Sequence, residues 1–222
     1  MPGCRMRTSA ANKKGYFITF EGGEGSGKST QLKMLSSAFE KSGKPFIATR
    51  EPGGSENAEK IRSLLVSGAV DSWDPITETL LFTAARSDHV NRLVKPAIAE
   101  GKTVICDRFF DSTLVYQGIG KKLGENYIKS LHHMVFGNFM PDITIILDID
   151  PALGLKRAGE RRGNENRFEQ LDIKFHQQIR EGFLQISKNE PQRCVVLDAT
   201  KDADILHIHI KEIIGEKCGG ML

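Results

Sequence analysis

At 222 residues the chain suits a single domain, large enough to bury roughly 70% of its unfolded surface. Its 31 basic and 28 acidic side chains nearly balance, which argues against a dedicated nucleic-acid binder with the usual basic excess. No apolar stretch approaches the ~20 residues of a membrane span, and Cys4, Cys106, Cys194 and Cys218 form no Cys-x-x-Cys pair that would indicate zinc or a redox dithiol.

Residues 1–14 hold Arg5, Arg7, Lys13 and Lys14 and no acid, and they lack the apolar core of a secretory signal. A disordered basic tail is expected there, ahead of one domain over 15–222. Free thiols fit a reducing, cytoplasmic setting. Tyr16–Phe20 reads as a short buried strand. The next segment, Gly22–Gly23–Glu24–Gly25–Ser26–Gly27–Lys28–Ser29, fits Gly-x4-Gly-Lys-Ser/Thr without mismatch. Thr30 opens a run to Lys41 with Leu32, Leu35, Ala38 and Phe39 at helical spacing. A phosphate loop needs a strand before it and a helix after it. Its glycines let backbone N–H groups converge on phosphate oxygens, and the helix N-terminus adds partial positive charge. Lys28 is expected on the β- and γ-phosphates and Ser29 on Mg²⁺, so ATP with magnesium is the expected ligand.

Phe46–Thr49 is a second strand, followed by the turn Arg50–Glu51–Pro52–Gly53–Gly54. Ser55 caps a predicted helix to about Ser67, with Gly68 as its stop. A longer helix is predicted over Ile76–Val94, and a separate short piece over Pro96–Glu100. Thr103–Cys106 reads as a third strand, Glu125–Phe136 as a helix and Ile143–Ile149 as a fully buried fourth strand. Pro151 opens another helix. Leu171–Ser187 is a further helix, Cys194–Leu197 the last strand and Asp202–Ile214 the last helix. Alternating strands and helices predict a three-layer α/β fold of the P-loop NTPase kind, with a parallel five-stranded sheet flanked by helices. Ligands of such sheets sit beyond the carboxyl ends of the strands. An acid or an arginine follows every strand: Arg50–Glu51, Asp107–Arg108, Asp148 with Asp150, and Asp198.

Asp107 can hold Mg²⁺ or its water shell, and Arg108 can grip a phosphate bidentately. Phe82 and Arg86 share a helix face, where a ring can stack on a base while the arginine holds the same nucleotide's phosphate. Thr113 and Gln117 can hydrogen-bond a base edge, and Tyr116 can pack against a sugar. Lys156–Arg157, Arg161–Arg162 and Arg167 lie among glycines and asparagines, the make-up of a mobile lid over about 157–169 whose arginines close on phosphates. A solvated charged loop accounts for the same composition.

In combination and order these motifs resemble thymidylate kinases of the bacterial type, from about Tyr16 to the C-terminus. The resemblance rests on Glu21–Gly22-x-Glu24–Gly25-x-Gly27–Lys28–Ser29, Thr49–Arg50–Glu51–Pro52–Gly53–Gly54, Phe82-x-x-x-Arg86, Asp107–Arg108, Tyr116–Gln117–Gly118 and Pro141–Asp142. It implies ATP and dTMP as substrates, Mg²⁺ and a homodimer. It further implies nucleotide contacts from the loop through Thr30 and substrate contacts from Glu21. Phe82 would stack on thymine, with Arg86 and Arg108 on the dTMP phosphate. Arg50 would touch that phosphate or position its loop. Thr113 and Gln117 would face the thymine edge, and Tyr116 the sugar's 2′ position. The phosphate loop carries no arginine, so the resemblance assigns the catalytic cation to the lid, among Arg157, Arg161, Arg162 and Arg167. One departure stands out: Phe109 follows Asp-Arg where the family usually has Tyr or His, which keeps a ring and loses a hydrogen bond.

Two rivals remain at the level of sequence. A deoxynucleoside kinase would use Glu51 as base toward a sugar hydroxyl, but has no need of Arg86 one turn from a stacking ring. A GTPase-like switch would want Asp-x-x-Gly and Asn/Thr-Lys-x-Asp, and neither lies downstream of the loop; Thr200–Lys201 is followed two places on by Ala203.

Overall fold

The computed structural model describes residues 15–69, 71–160 and 167–218, so the 1–14 tail, Arg161 and Arg162 lie outside the described residues. Five strands build the sheet: β1 (Phe17–Glu21), β2 (Phe46–Arg50), β3 (Thr103–Asp107), β4 (Ile143–Asp148) and β5 (Cys194–Asp198). They pair in parallel in the order β2-β3-β1-β4-β5. Side chains alternate between the faces of each strand. Phe17, Val104, Cys106 and Ile146 enter one core, while Ile18, Phe20, Ile105, Ile145 and Leu147 enter the other. Both faces are covered by helices, which is why β1, β3 and β4 read as near-continuous apolar runs.

The helices start and stop where local chemistry directs. Helix α1 (Lys28–Ser42) ends at Gly43, whose φ of 66° suits a left-handed cap. Helix α2 (Glu56–Leu65) follows Ser55, but the Ser55 hydroxyl donates to Asp88 at 2.6 Å rather than capping. Asp74 caps α3 (Pro75–His89) by accepting from Ile76 N and Thr77 N, with Pro75 at the first turn.

Helix α3 does not stop at the expected break before Pro96. A π-helical segment, Val90–Val94, carries the run into α4 (Lys95–Ala99). Pro96 has no N–H to give an α-helical bond, and the wider turn, closed by Lys95 N–H on Val90 O, accommodates it. A second helical run was not predicted: α5 (Phe110–Thr113) continues as the π-helical Leu114–Gly120. Beyond it lie α6 (Glu125–Phe136), α7 (Pro151–Gly159), α8 (Ile173–Asn189) and α9 (Ala203–Lys217). Asp150, Asp172 and Asp202 cap the last three. The β1–β3 pairing sets Phe20 beside Asp107, so the phosphate loop and the Asp107–Arg108 corner leave the same rim.

Candidate active site

The loop between β1 and α1 presses against α7. Gly25 has φ +67°, and a Cβ there would stand 1.9 Å from Gly154 O, so both its conformation and its clearance require glycine. Lys28 is almost buried, and its Nζ donates to Gly22 O at 3.0 Å, Gly23 O at 2.7 Å and Ser26 Oγ at 3.2 Å. Burial, with repulsion from Arg108 added, lowers its pKa to about 8. Ser29 Oγ donates to Asp107 Oδ2 at 2.7 Å, so a hydroxyl and a carboxylate stand together at the rim.

Arg108 has φ 70°, an uncommon conformation for a side chain with Cβ. Its N–H donates to Phe20 O at 2.9 Å, and Cys106 Sγ donates to its carbonyl at 3.0 Å, which together hold the turn. The guanidinium then donates to Gly22 O, to Ser112 Oγ and, at 2.8 Å, to Glu24 Oε1, with its carbon 5.2 Å from the Tyr116 ring centre. Tyr116 also donates to Glu24, at 2.9 Å. Burial pushes the Glu24 carboxyl up, but Arg108, Lys28 and the Tyr116 hydroxyl outweigh it and bring it to about 2.

Behind this corner sits Glu21, fully buried, accepting from Phe109 N at 2.8 Å and Ser112 Oγ at 2.6 Å. Burial and the neighbouring Asp111 push its carboxyl up to about 7 against the pull of Arg108. Glu21, expected from the resemblance to touch substrate, is not among the residues lining the cavity. It fixes the turn that carries Arg108. Phe109 gives that turn its packing: its ring meets Phe17 edge-on at 4.9 Å and lies 5.0 Å from the Arg86 guanidinium carbon.

A cavity of about 380 Å³ opens beside Ser29 and Asp107, lined by Phe82, Arg86, Arg108, Thr113, Tyr116 and Gln117 among others. Phe82 faces Phe168 at 6.2 Å, and Phe168 meets Tyr116 edge-on at 5.7 Å. Arg86 is buried. Its Nε donates to Glu51 Oε2 at 2.7 Å and its Nη2 to Phe109 O and Thr113 Oγ1 at 3.0 and 2.8 Å. The other Glu51 oxygen lies 2.9 Å from His89 Nδ1. Burial raises the Glu51 carboxyl, but Arg86 and His89 outweigh it and hold it below its ordinary range. A carboxylate engaged on both oxygens is a poor base, so the role a deoxynucleoside kinase would need from Glu51 is not supported.

Not every strand end converges on the cavity. Arg180 grips Asp148 with two bonds of 2.7 and 2.8 Å, Asp150 caps α7, and Asp198 accepts from Thr200. Two of the lid candidates are also placed otherwise than expected. Arg157 Nη1 donates to Ala199 O at 2.9 Å, beyond β5. Arg167 is 1% exposed and donates to Leu65 O, Ala69 O and Glu78, so it is a buried tie rather than a cation poised over phosphates.

Arg62, Val66, Ser112, Phe168 and Glu169 line the cavity and escaped the sequence reading. Arg62 donates to Pro52 O at 2.6 Å. An aromatic next to an expected lid arginine was the available signal for Phe168.

A parallel sheet whose phosphate loop opens on a cavity of cations and rings defines a nucleotide kinase of the P-loop class. The thymidylate kinase family model matches residues 20–210. The chain is 47% identical over 206 residues to a thymidylate kinase of Caulobacter vibrioides, covering 93% of this chain and 99% of that one. It is 46% identical to one from Bradyrhizobium sp. strain ORS 278, covering 92% and 91%. The crystal structure of thymidylate kinase from Ehrlichia chaffeensis superposes with a TM-score of 0.73 at 33% identity, covering 90% of this chain and 99% of that chain. The chain belongs to the thymidylate kinase family, as a phosphotransferase that moves the γ-phosphoryl group of ATP to dTMP, giving dTDP and ADP.

Proposed function

We propose that dTMP occupies the 380 Å³ cavity with its phosphate at Arg108, and that ATP lies along the phosphate loop with its γ-phosphoryl group toward the same corner. The observation that carries this reading is one cavity lined by both a stacking ring, Phe82, and the Ser29–Asp107–Arg108 rim. Phe82 and Phe168 flank the base. Thr113 and Gln117 face its hydrogen-bonding edge, and Tyr116 crowds the sugar. Arg86 is a donor only, so Thr113 Oγ1 accepts from it and keeps its own hydrogen to give. Arg50 is half exposed and donates to the similarly accessible Glu59 at 3.1 Å, which leaves it able to swing to the phosphate.

The acceptor is already an oxyanion, since a phosphate monoester has its second pKa near ~6. No general base is needed, and the protein's task is alignment and charge neutralisation. Lys28 and Arg108 offset the repulsion of the two anions; Arg161 and Arg162, the other expected lid cations, lie outside the described residues. Mg²⁺ fits the rim: Ser29 and Asp107 present hard oxygens 2.7 Å apart and would hold it. When bound, the ion neutralises charge on the β- and γ-phosphate oxygens.

A homodimer and a cytoplasmic setting complete the reading. Exposed Leu64, Ile76 and Leu80 on α2 and α3, and Met134 on α6, supply apolar surface for a partner copy. Among the described residues no helix is long and apolar enough to cross a membrane. A coupled ADP-release assay across dTMP, dUMP, AMP, CMP, GMP and UMP tests the proposal. Release driven by dTMP is expected; equal release with every monophosphate would overturn the placement of the base.

A further inference from the structure

Glu78 is an anomaly on α3. It is wholly buried, lies outside the cavity lining, and takes three donors: Gln117 Nε2 at 2.9 Å, Lys121 Nζ at 2.8 Å and Arg167 Nη2 at 2.6 Å. Two full cations close on one carboxylate, and Gln117 is the only neutral member. A carboxylate with such partners is an acceptor at both oxygens. A side-chain amide has one end that donates and one that accepts. Facing Glu78, Gln117 has to present its NH₂.

Gln117 lines the cavity, and its NH₂ is turned toward a residue that does not. The half left for the cavity is Oε1, an acceptor. Four residues earlier Thr113 Oγ1 accepts from Arg86 and has its hydrogen left to donate. The pair therefore offers a donor and an acceptor in fixed order. A thymine edge offers O4 as acceptor and N3–H as donor. A cytosine edge offers the reverse, an amino group and an unprotonated ring nitrogen.

We infer that Glu78 is a positioning residue that dictates which end of the Gln117 amide meets the base, so that the pocket accepts a ring N–H and rejects a ring nitrogen acceptor. This rests on the placement of dTMP proposed above. It assigns base discrimination partly to a residue the substrate never touches. The same carboxylate anchors Arg167, next to the cavity residue Phe168, so the base edge and one aromatic wall share a single buried anchor.

The test compares kcat/KM for dTMP and dCMP in the wild type, Glu78→Gln and Gln117→Ala. Glutamine at 78 can offer either end of its own amide, so the Gln117 amide is released to turn. The dCMP-to-dTMP ratio is expected to rise roughly tenfold or more in Glu78→Gln, with the KM for ATP unchanged. General loosening of the fold would raise both KM values and leave the ratio alone; that outcome overturns the inference. If Gln117→Ala leaves the KM for dTMP unaltered, the base placement itself fails, a result distinct from an unmoved ratio in Glu78→Gln. Should Glu78→Gln not fold, the wild type still decides. NMR of the Gln117 side-chain NH₂ is expected to show the same two resonances before and after dTMP binds, and a large shift on both would put the NH₂ on the base and overturn the assignment.

Discussion

The wall facing the base and the rim facing the phosphates are built in opposite ways. On the wall, Arg86 is 3% exposed and locked by Glu51, Phe109 O and Thr113, and Gln117 is 1% exposed and locked by Glu78. At the rim, Lys28 leans on loop carbonyls and on Ser26, and the Arg108 side chain is 18% exposed against an equally accessible Glu24. The wall is a mould whose charges are spent on protein partners. The rim holds charges whose present partners phosphate can replace. Selecting a base needs fixed dipoles, and moving a phosphoryl group needs cations that can be redirected.

The largest effect should come from emptying the rim. Lys28→Ala and Arg108→Ala are each expected to lower turnover by about 10³-fold or more in an ADP-release assay while circular dichroism stays unchanged. Near-normal rates in purified Arg108→Ala would remove the rim's central role. On the wall the expected loss is of another kind. Arg86→Met strips Glu51 of its buried guanidinium, leaving it only His89, and should cost about 3–5 kcal/mol in a urea melt, because a buried carboxylate without its counter-charge is expensive. If Arg86→Met melts like the wild type, the mould description fails.

Titration separates the two regions further. The rim's Lys28 falls to about 8 through burial and the nearby Arg108. It has to be protonated to hold phosphate, so log kcat/KM for ATP should decline above about pH 8, a profile that reports the free enzyme. Glu21, beneath the turn, is raised to about 7 by burial and Asp111. Between about pH 4.5 and pH 7 the native state then holds a proton the unfolded chain has released, so this group's contribution to stability falls as pH rises. Glu24, held at about 2, works the other way: its contribution is present above the ordinary carboxylate range and is lost on acidification toward 2. Urea midpoints of Glu21→Gln measured against the wild type should gain on the wild type from pH 5 to pH 7.5. A constant difference would contradict the raised carboxyl.

Sequence reaches the rim far better than the wall. Gly22 to Ser29 and Asp107–Arg108 are local patterns at strand ends, where the topology itself brings ligands, and they were legible. Glu78 was not, because a glutamate in an amphipathic helix reads as solvent-facing, and its partners lie 39 and 43 positions away at Gln117 and Lys121. Arg167 misled for a similar reason. Its composition is that of a lid, but it donates to Ala69 O, 98 positions back. Asp148 and Asp198 had the right position and the wrong partners, being taken by Arg180 and Thr200. The helical run through Leu114–Gly120 was not predicted: glycines at 118 and 120 lower helix propensity, and the π-helical turns have no 3.6-residue period to betray them.

The smallest effect, and the sharpest use of the contrast, concerns Arg50. It ends β2 one residue before Glu51, yet it belongs to the rim by its exposure: its side chain is 53% accessible, and its partner Glu59 is 43% accessible. An exposed pair of this kind is worth at most about 1 kcal/mol, and Glu59 keeps a second bond, from Gly54 N at 2.9 Å, when the arginine is gone. Arg50→Ala should therefore leave the melting curve almost unmoved. If Arg50 swings onto the acceptor phosphate, the KM for dTMP should nevertheless rise roughly ten- to a hundredfold, because a charge-assisted hydrogen bond contributes roughly 1.5–3 kcal/mol and each ~1.4 kcal/mol is tenfold. The KM for ATP should stay the same. Stability and affinity would then separate at Arg50 and fall together at Arg86, although both arginines line the same cavity. A variant of Arg50 that loses stability as Arg86→Met does would place it in the wall, and the boundary between mould and rim would have to move by one residue.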